Sequence, residues 1–132
     1  MKLTKSQKEK IREFCVVEYQ NALQERKKKG QFFTPPELTI KMIEKFDNLD
    51  GTFFDPCAGS GNLLGGLIMA GVAPENIYYN ELDENEFNAG KKRLMALGVP
   101  EDHFTNFDVL SKEFEEYYNN EVWPYNNQSS LQ

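Results

Sequence analysis

Between about Ser6 and Lys29 the apolar residues Ile11, Phe14, Cys15, Tyr19, Ala22 and Leu23 recur at three- and four-residue spacing, which predicts one amphipathic helix. Ser6 and Glu9 are placed to form a capping box at its start. The run Arg26-Lys27-Lys28-Lys29 falls at the negative end of the helix dipole, and Gly30 is positioned to cap it. Helix termination and solvated surface account for this basic run, with contact to a nucleic-acid phosphate as the alternative. A second helix is predicted from Thr34-Pro35-Pro36-Glu37 to about Phe46: Thr is a good N-cap, Pro suits the first turn, and Glu three residues on completes the box.

Beyond Phe46 the pattern changes to short apolar runs alternating with helical ones. Strands are expected at about Thr52 to Asp55, Ile77 to Glu81 and His103 to Phe107. Helices are expected at about Gly61 to Ala70, closed by Gly71, at Glu84 to Leu97, closed by Gly98 and Pro100, and at Lys112 to Tyr118. Strands that alternate with helices predict an α/β fold, Rossmann-like, with a partial parallel sheet of about three strands and right-handed crossovers. The polar tail from Asn126 to Gln132 closes the chain. The expected organisation is an N-terminal helix over 1–29, one domain over 30–125 and a tail over 126–132.

Composition narrows the partners. The chain has 132 residues, enough for one core of modest size, and a net charge of −6, which argues against this chain alone gripping a nucleic-acid backbone. Any DNA contact is expected to be local or supplied by a partner. Two cysteines, no leader peptide and no long apolar span point to a cytoplasmic protein with reduced thiols and no membrane segment. His103 has no Cys or His cluster near it in sequence, so no metal site is expected.

The chemistry is carried by Asp55-Pro56-Cys57-Ala58-Gly59-Ser60-Gly61-Asn62, which joins the first strand to a helix. A carboxylate at a strand tip can face a ligand ammonium, and glycines let backbone N–H groups approach a carboxylate or phosphate. On its own such a turn joins strands to helices in many α/β domains. Glu81 lies at the tip of the second strand, about twenty residues past the turn, where an acid can accept both hydroxyls of a ribose. Nicotinamide and flavin nucleotides would use the same acid. Asp108, at the tip of the third strand, is placed for the exocyclic amine of an adenine, and Leu82 for an apolar contact with its ring.

With these residues in view, the chain resembles the S-adenosylmethionine-dependent DNA methyltransferases that modify adenine at N6, of restriction-modification type, in the class whose cofactor motif precedes the catalytic one. Gly30-Gln31-Phe32-Phe33-Thr34-Pro35-Pro36-Glu37 resembles the family's N-terminal cofactor motif, and Asp55 to Asn62 its glycine-rich motif. Asn80-Glu81-Leu82-Asp83 and Asn106-Phe107-Asp108-Val109-Leu110 resemble the ribose and adenine-edge motifs. The resemblance implies an S-adenosylmethionine site built from Phe33, Thr34, Asp55, Pro56, Ala58, Gly59, Gly61, Asn62, Glu81, Leu82 and Asp108. An ordinary nicotinamide-binding fragment is disfavoured, because the segment from Gly30 to Glu37 has no counterpart in dehydrogenases.

The family transfers the sulfonium methyl with a motif of Asn or Asp, two prolines and an aromatic residue, whose oxygens accept from the target amine while the ring stacks on a flipped base. The corresponding stretch here is Val122-Trp123-Pro124-Tyr125, in which valine has no oxygen to offer and Trp123 replaces the first proline. No catalytic residue is therefore assigned. Either this is a decayed motif, or the working motif lies on another polypeptide or on a missing C-terminal part. The first strand would then keep an open edge, to be covered by a short strand from Glu121 to Tyr125, by a second copy or by a second methyltransferase subunit. A noncatalytic interaction module with a vestigial pocket is the rival from another class.

Overall fold

The computed structural model describes residues 1–15 and 34–123. The chain is helical over residues 5–15 (α1), then forms α2 (Pro36–Glu44), β1 (Phe53–Asp55), α3 (Asn62–Met69), β2 (Ile77–Asn80), α4 (Glu84–Ala96), β3 (Phe104–Thr105) and α5 (Lys112–Tyr117). Short 3₁₀ turns at Pro74–Asn76 and Glu101–His103 lead into β2 and β3, and a π-helical turn over Tyr118–Val122 extends α5. The basic run at 26–29 and Gly30 lie outside the described residues.

The three strands form one parallel sheet in the order β1-β2-β3, with Phe53 opposite Ile77, Asp55 opposite Tyr79, and Asn80 opposite Thr105. This is the α/β, Rossmann-like arrangement expected from the alternation of elements. Successive strand residues face opposite sides of a sheet, and the contacts follow that rule. Phe53 meets Phe46 edge-on at 5.2 Å beside α2, whereas Phe54 stacks on Phe114 at 6.0 Å and packs on Tyr118 at 5.7 Å. The main core lies on the Phe53 face, where Ile11 and Cys15 of α1, Ile40 and Ile43 of α2, and Leu64 and Leu67 of α3 are buried with Ile77, Tyr79 and Leu94.

Close helix packing here depends on two adjacent glycines in α3. A Cβ at Gly65 would overlap the Phe14 ring, and one at Gly66 would sit 2.8 Å from Thr39 Cγ2 and 3.1 Å from Ile43 Cδ1. The bare backbone of α3 thus receives α1 on one side and α2 on the other.

Four local expectations are corrected. The capping box on α1 is Thr4 and Gln7, not Ser6 and Glu9: the Thr4 N–H donates to Gln7 Oε1 at 2.8 Å, and the Gln7 N–H to Thr4 Oγ1 at 3.1 Å. The chain turns into the core at buried Leu3, so the helix begins earlier than the apolar spacing alone indicates. Thr34 does not cap α2. Pro35 occupies that position in extended conformation with no side-chain cap, Pro36 opens the first turn, and the Glu37 carboxylate instead pairs with Arg12 at 2.6 Å. Here preset proline geometry starts the helix without a side-chain acceptor.

The third strand is shorter than the expected His103 to Phe107. The His103 N–H is used within its own 3₁₀ turn, donating to the Pro100 carbonyl at 3.0 Å, and the Phe107 N–H donates to Asn80 Oδ1 at 2.9 Å, so neither extends the ladder. Finally, Glu121 and Val122 belong to the π-helical turn and form no fourth strand. Tyr118 packs on Phe54 and Phe114, Val122 is buried, and the Trp123 N–H donates to the Tyr118 carbonyl at 2.9 Å, which keeps the chain coiled past α5. Pro124 and Tyr125 lie outside the described residues.

Candidate functional site

The glycine turn is held from several directions. The Asp55 Oδ1 accepts from the Cys57 N–H at 3.1 Å, the Ala58 N–H donates to the Asn80 carbonyl at 3.0 Å, and the Gly61 N–H donates to the Ala58 carbonyl at 2.9 Å. Gly59 (φ 56°) and Gly61 (φ 86°) are in the left-handed region, which a side chain would strain. Gly61 is the residue from which α3 starts, and its carbonyl accepts from the Gly65 N–H at 2.8 Å. Beneath the turn, the buried Tyr79 hydroxyl donates to the Gly59 carbonyl.

Glu81 follows β2 directly and fastens the turn from above. Its Oε1 accepts from the Gly59 N–H at 2.8 Å and its Oε2 from the Asp83 N–H at 2.9 Å. Asp83 in turn caps α4, accepting from the Glu86 N–H at 2.9 Å. Leu82 between them is 61% exposed, an apolar side chain presented to solvent at the rim. Burial pushes the Asp55 carboxyl above the usual carboxylate range; the Cys57 N–H opposes the shift and the negative charge of Glu81 adds to it.

These elements enclose a cavity of about 250 Å³. Of the residues singled out in the sequence, Thr34, Asp55, Ala58, Gly59 and Asn62 line it together, although Thr34 is far from the others in sequence. Asn62 closes that wall by donating from Nδ2 to the Thr34 carbonyl at 3.0 Å. Pro56 faces away from this cavity and lines a neighbouring apolar groove with Phe54 and Phe114. Gly61, Glu81 and Leu82 are not part of its lining, although Glu81 is hydrogen-bonded to the lining residue Gly59. Asp108 is exposed three residues beyond β3, where its Oδ1 accepts from the Leu110 N–H at 2.9 Å and its carbonyl from the Ser111 N–H at 2.9 Å. Phe33 lies outside the described residues.

Sequence reasoning missed part of the lining. Cys57 and Ser60 stand inside the glycine motif and were legible there, whereas Met42, Leu63 and Glu86 arrive only through the packing of α2, α3 and α4. It also missed the residue that ties the loops together. Asn80 is fully buried, donates from Nδ2 to the carbonyls of Pro56 (3.0 Å) and Phe107 (2.9 Å), and accepts at Oδ1 from the Phe107 N–H (2.9 Å) and the Thr105 hydroxyl (2.8 Å). Its amide therefore sets the spacing between the glycine turn and the loop that carries Asp108.

His103 packs elsewhere, stacked on Tyr78 at 3.9 Å with Nδ1 at 2.9 Å from the Ile77 carbonyl. Among the described residues no His, Cys, Asp and Glu side chains gather as a metal-binding group, and no helix is long and apolar enough to cross a membrane. Cys15 is buried and Cys57 exposed, and neither is in a disulfide.

Asp55 at the end of β1, the glycine turn and the distant Thr34 thus line one cavity, and Glu81 after β2 is hydrogen-bonded to that turn. The family described as N-6 DNA Methylase matches residues 10–90. The chain belongs to the N-6 DNA methylase family. It is also similar to the Type II methyltransferase M.VspI of Vibrio sp. (strain 343), at 34% identity over 102 residues, which is 74% of this chain and 25% of that protein. The chain thus spans about a quarter of the length of the curated relative it matches. No solved structure matches it. The N-6 DNA methylase match covers α2, the glycine turn, Glu81 and the first part of α4, so it includes every residue found lining the cavity.

Proposed function

We propose that this chain is the cofactor-holding part of an S-adenosylmethionine-dependent adenine-N6 DNA methyltransferase of the restriction-modification kind. The observation that carries this reading is the convergence of Thr34, Asp55, Gly59 and Asn62 on one polar cavity, with Glu81 hydrogen-bonded to Gly59 at its edge. The donor set fits a zwitterionic amino acid joined to a nucleoside. Asp55 is an acid for the methionine ammonium, and the backbone of the turn with Thr34 forms the wall around the methionine. Each Glu81 oxygen accepts one backbone N–H and retains a lone pair for a ribose hydroxyl. Leu82 offers an apolar surface to the adenine, and Asp108 an acceptor to its amine. The cofactor, when bound, supplies the methyl group as a sulfonium.

What the chain holds for using that methyl is less complete. Buried Val122 and half-exposed Trp123 stand where the family places an amide or carboxylate and a proline, so no side chain there can accept from a target amine. Methyl transfer then depends on a complementary methyltransferase segment. β1 offers a place for one: among the described residues nothing pairs with its outer edge, and apolar grooves of about 350 Å³ and about 440 Å³ lie on the Phe53 and Phe54 sides. DNA contact is assigned to the assembled enzyme, in keeping with the net charge of −6. Cytoplasmic location belongs to the same reading.

The substitution at Val122 and Trp123 also favours a second reading, a noncatalytic interaction module whose pocket is vestigial. Titration calorimetry with S-adenosylmethionine separates the two. A working pocket gives heat with this chain and loses at least about tenfold in affinity in Asp55→Ala or Glu81→Ala, the scale expected for removing a charged acceptor. Absence of heat leaves the interaction module. With labelled cofactor and this chain as sole protein, no label should enter DNA, and labelled adenine would refute the dependence on a second segment.

A further inference from the structure

Arg93, on α4, makes contacts that the cofactor motifs do not explain. Its Nη1 donates to the Ser60 carbonyl at 2.7 Å and to Asn62 Oδ1 at 2.9 Å, while Nη2 donates to the Phe14 carbonyl at 2.7 Å. The guanidinium carbon also lies 4.1 Å from the centre of the Phe14 ring. One planar group therefore joins α4, the glycine turn and α1, which are far apart in the chain. A guanidinium can do this because its N–H donors form a rigid fork and its face stacks on an aromatic ring; an ammonium has neither property.

The contact with Asn62 has a directional consequence. With Oδ1 turned to the guanidinium, the amide must present Nδ2 to the Thr34 carbonyl, where the bond is 3.0 Å. The reversed amide would set donor against donor at Arg93 and acceptor against acceptor at Thr34. Arg93 thus fixes the side chain that ties Thr34 to the glycine turn, although it does not itself line the cavity. On its other side it grips the α1 backbone beside Phe14, whose ring occupies the space left by Gly65.

We propose that Arg93 is a positioning residue that couples docking of α1 to the shape of the cofactor cavity, so that the N-terminal helix supports the site at one remove. The ligand half of this proposal rests on the S-adenosylmethionine reading above; the structural half does not.

The test has two arms. In hydrogen exchange of the ligand-free protein, Arg93→Lys should speed amide exchange about tenfold or more both in residues 11–15 and in residues 58–62, leaving β2 unchanged. Exchange that rises in only one of the two segments, or in neither, overturns the coupling. Because lysine keeps the charge and the alkyl stem, the variant retains a fold in which this can be read; exchange raised uniformly through β2 would assign Arg93 a general stabilising role and also overturn the proposal.

In calorimetry, Arg93→Lys should weaken S-adenosylmethionine about tenfold, and Arg93→Lys combined with Asn62→Ala should bind no worse than Asn62→Ala alone, since the arginine acts through that amide. Losses that multiply would refute action through Asn62. If the unmodified chain gives no heat, the cofactor reading fails by itself, and the exchange arm still decides the coupling.

Discussion

The side-chain amide of Asn80 donates to the carbonyl of Pro56 at 3.0 Å, and the same fully buried amide satisfies both the carbonyl and the N–H of Phe107. The residue after the first acid of the glycine turn and the residue before Asp108 are thereby held to one group on β2. Asn80→Ala would leave several buried polar groups without partners, at about 1–3 kcal/mol for a typical unsatisfied group. The expected loss is about 2–4 kcal/mol in urea unfolding. A loss below about 1 kcal/mol would mean that water replaces the amide and that Asn80 does not set the loop spacing.

Asp55 is expected to trade stability for binding. Burial raises its carboxyl pKa in the folded protein, with the nearby Glu81 charge in support. A group raised in this way contributes stability fully below its ordinary pKa and loses that contribution as pH rises through the raised value. At neutral pH the ionised Asp55 is therefore a cost to the fold. Asp55→Asn keeps an acceptor for the Cys57 N–H and removes the charge, so it should melt a few degrees above the parent at pH 7. The gap should shrink as pH falls through the raised value and be closed below about pH 4, where the parent carboxyl is protonated both folded and unfolded. In the same variant S-adenosylmethionine should bind at least about tenfold more weakly, because the partner for its ammonium is gone. Melting curves from pH 3 to pH 8 check the sign, and a variant less stable than the parent at pH 7 contradicts it.

Gly66→Ala sets helix propensity against packing. Alanine in a helix interior is favoured over glycine by about 1 kcal/mol, but here the new methyl would lie 2.8 Å from Thr39 Cγ2 and 3.1 Å from Ile43 Cδ1. Both neighbours are fully buried and β-branched, so neither can swing aside. Overpacking of this kind costs about 1–3 kcal/mol, and the net expectation is destabilisation by about 1 kcal/mol, read as a lower denaturation midpoint. A midpoint at or above that of the parent would show that α2 and α3 can separate without loss.

Much of this fold is legible from period and punctuation. The succession of strands and helices and the approximate α3 and α4 boundaries follow from short apolar runs and glycine stops, because those signals are local. Where the sequence misleads, a distant contact has taken over a local role. Glu37 reads as the third residue of a capping box, yet its carboxylate pairs with Arg12. Phe107 reads as strand, yet its N–H is taken by the Asn80 side chain. The same holds for the site: Asp55, Gly59 and Asn62 declare themselves by spacing, while Arg93 and Asn80 are ordinary helix and strand residues until tertiary structure brings carbonyls to them.

The open side of β1 leads to the last prediction. A three-residue strand with its outer edge unpaired among the described residues, and with Phe53 and Phe54 each facing an apolar groove, is a template for another strand. In the absence of a complementary methyltransferase chain, a second copy of this one is the occupant at hand, and light scattering at micromolar concentration should give the mass of a dimer. Thr52 is exposed at the mouth of the groove beside Phe46 and Phe53. Thr52→Lys places a solvated charge there, which is how natural sheets guard their edges. Because Thr52 is exposed, the variant should keep its fold and be monomeric, and its melting temperature, measured at a concentration where the parent is also monomeric, should stay within about 2 °C of the parent. A monodisperse monomer of the parent protein would count against the edge as a docking strand, and a dimer that survives Thr52→Lys would place the association on another surface.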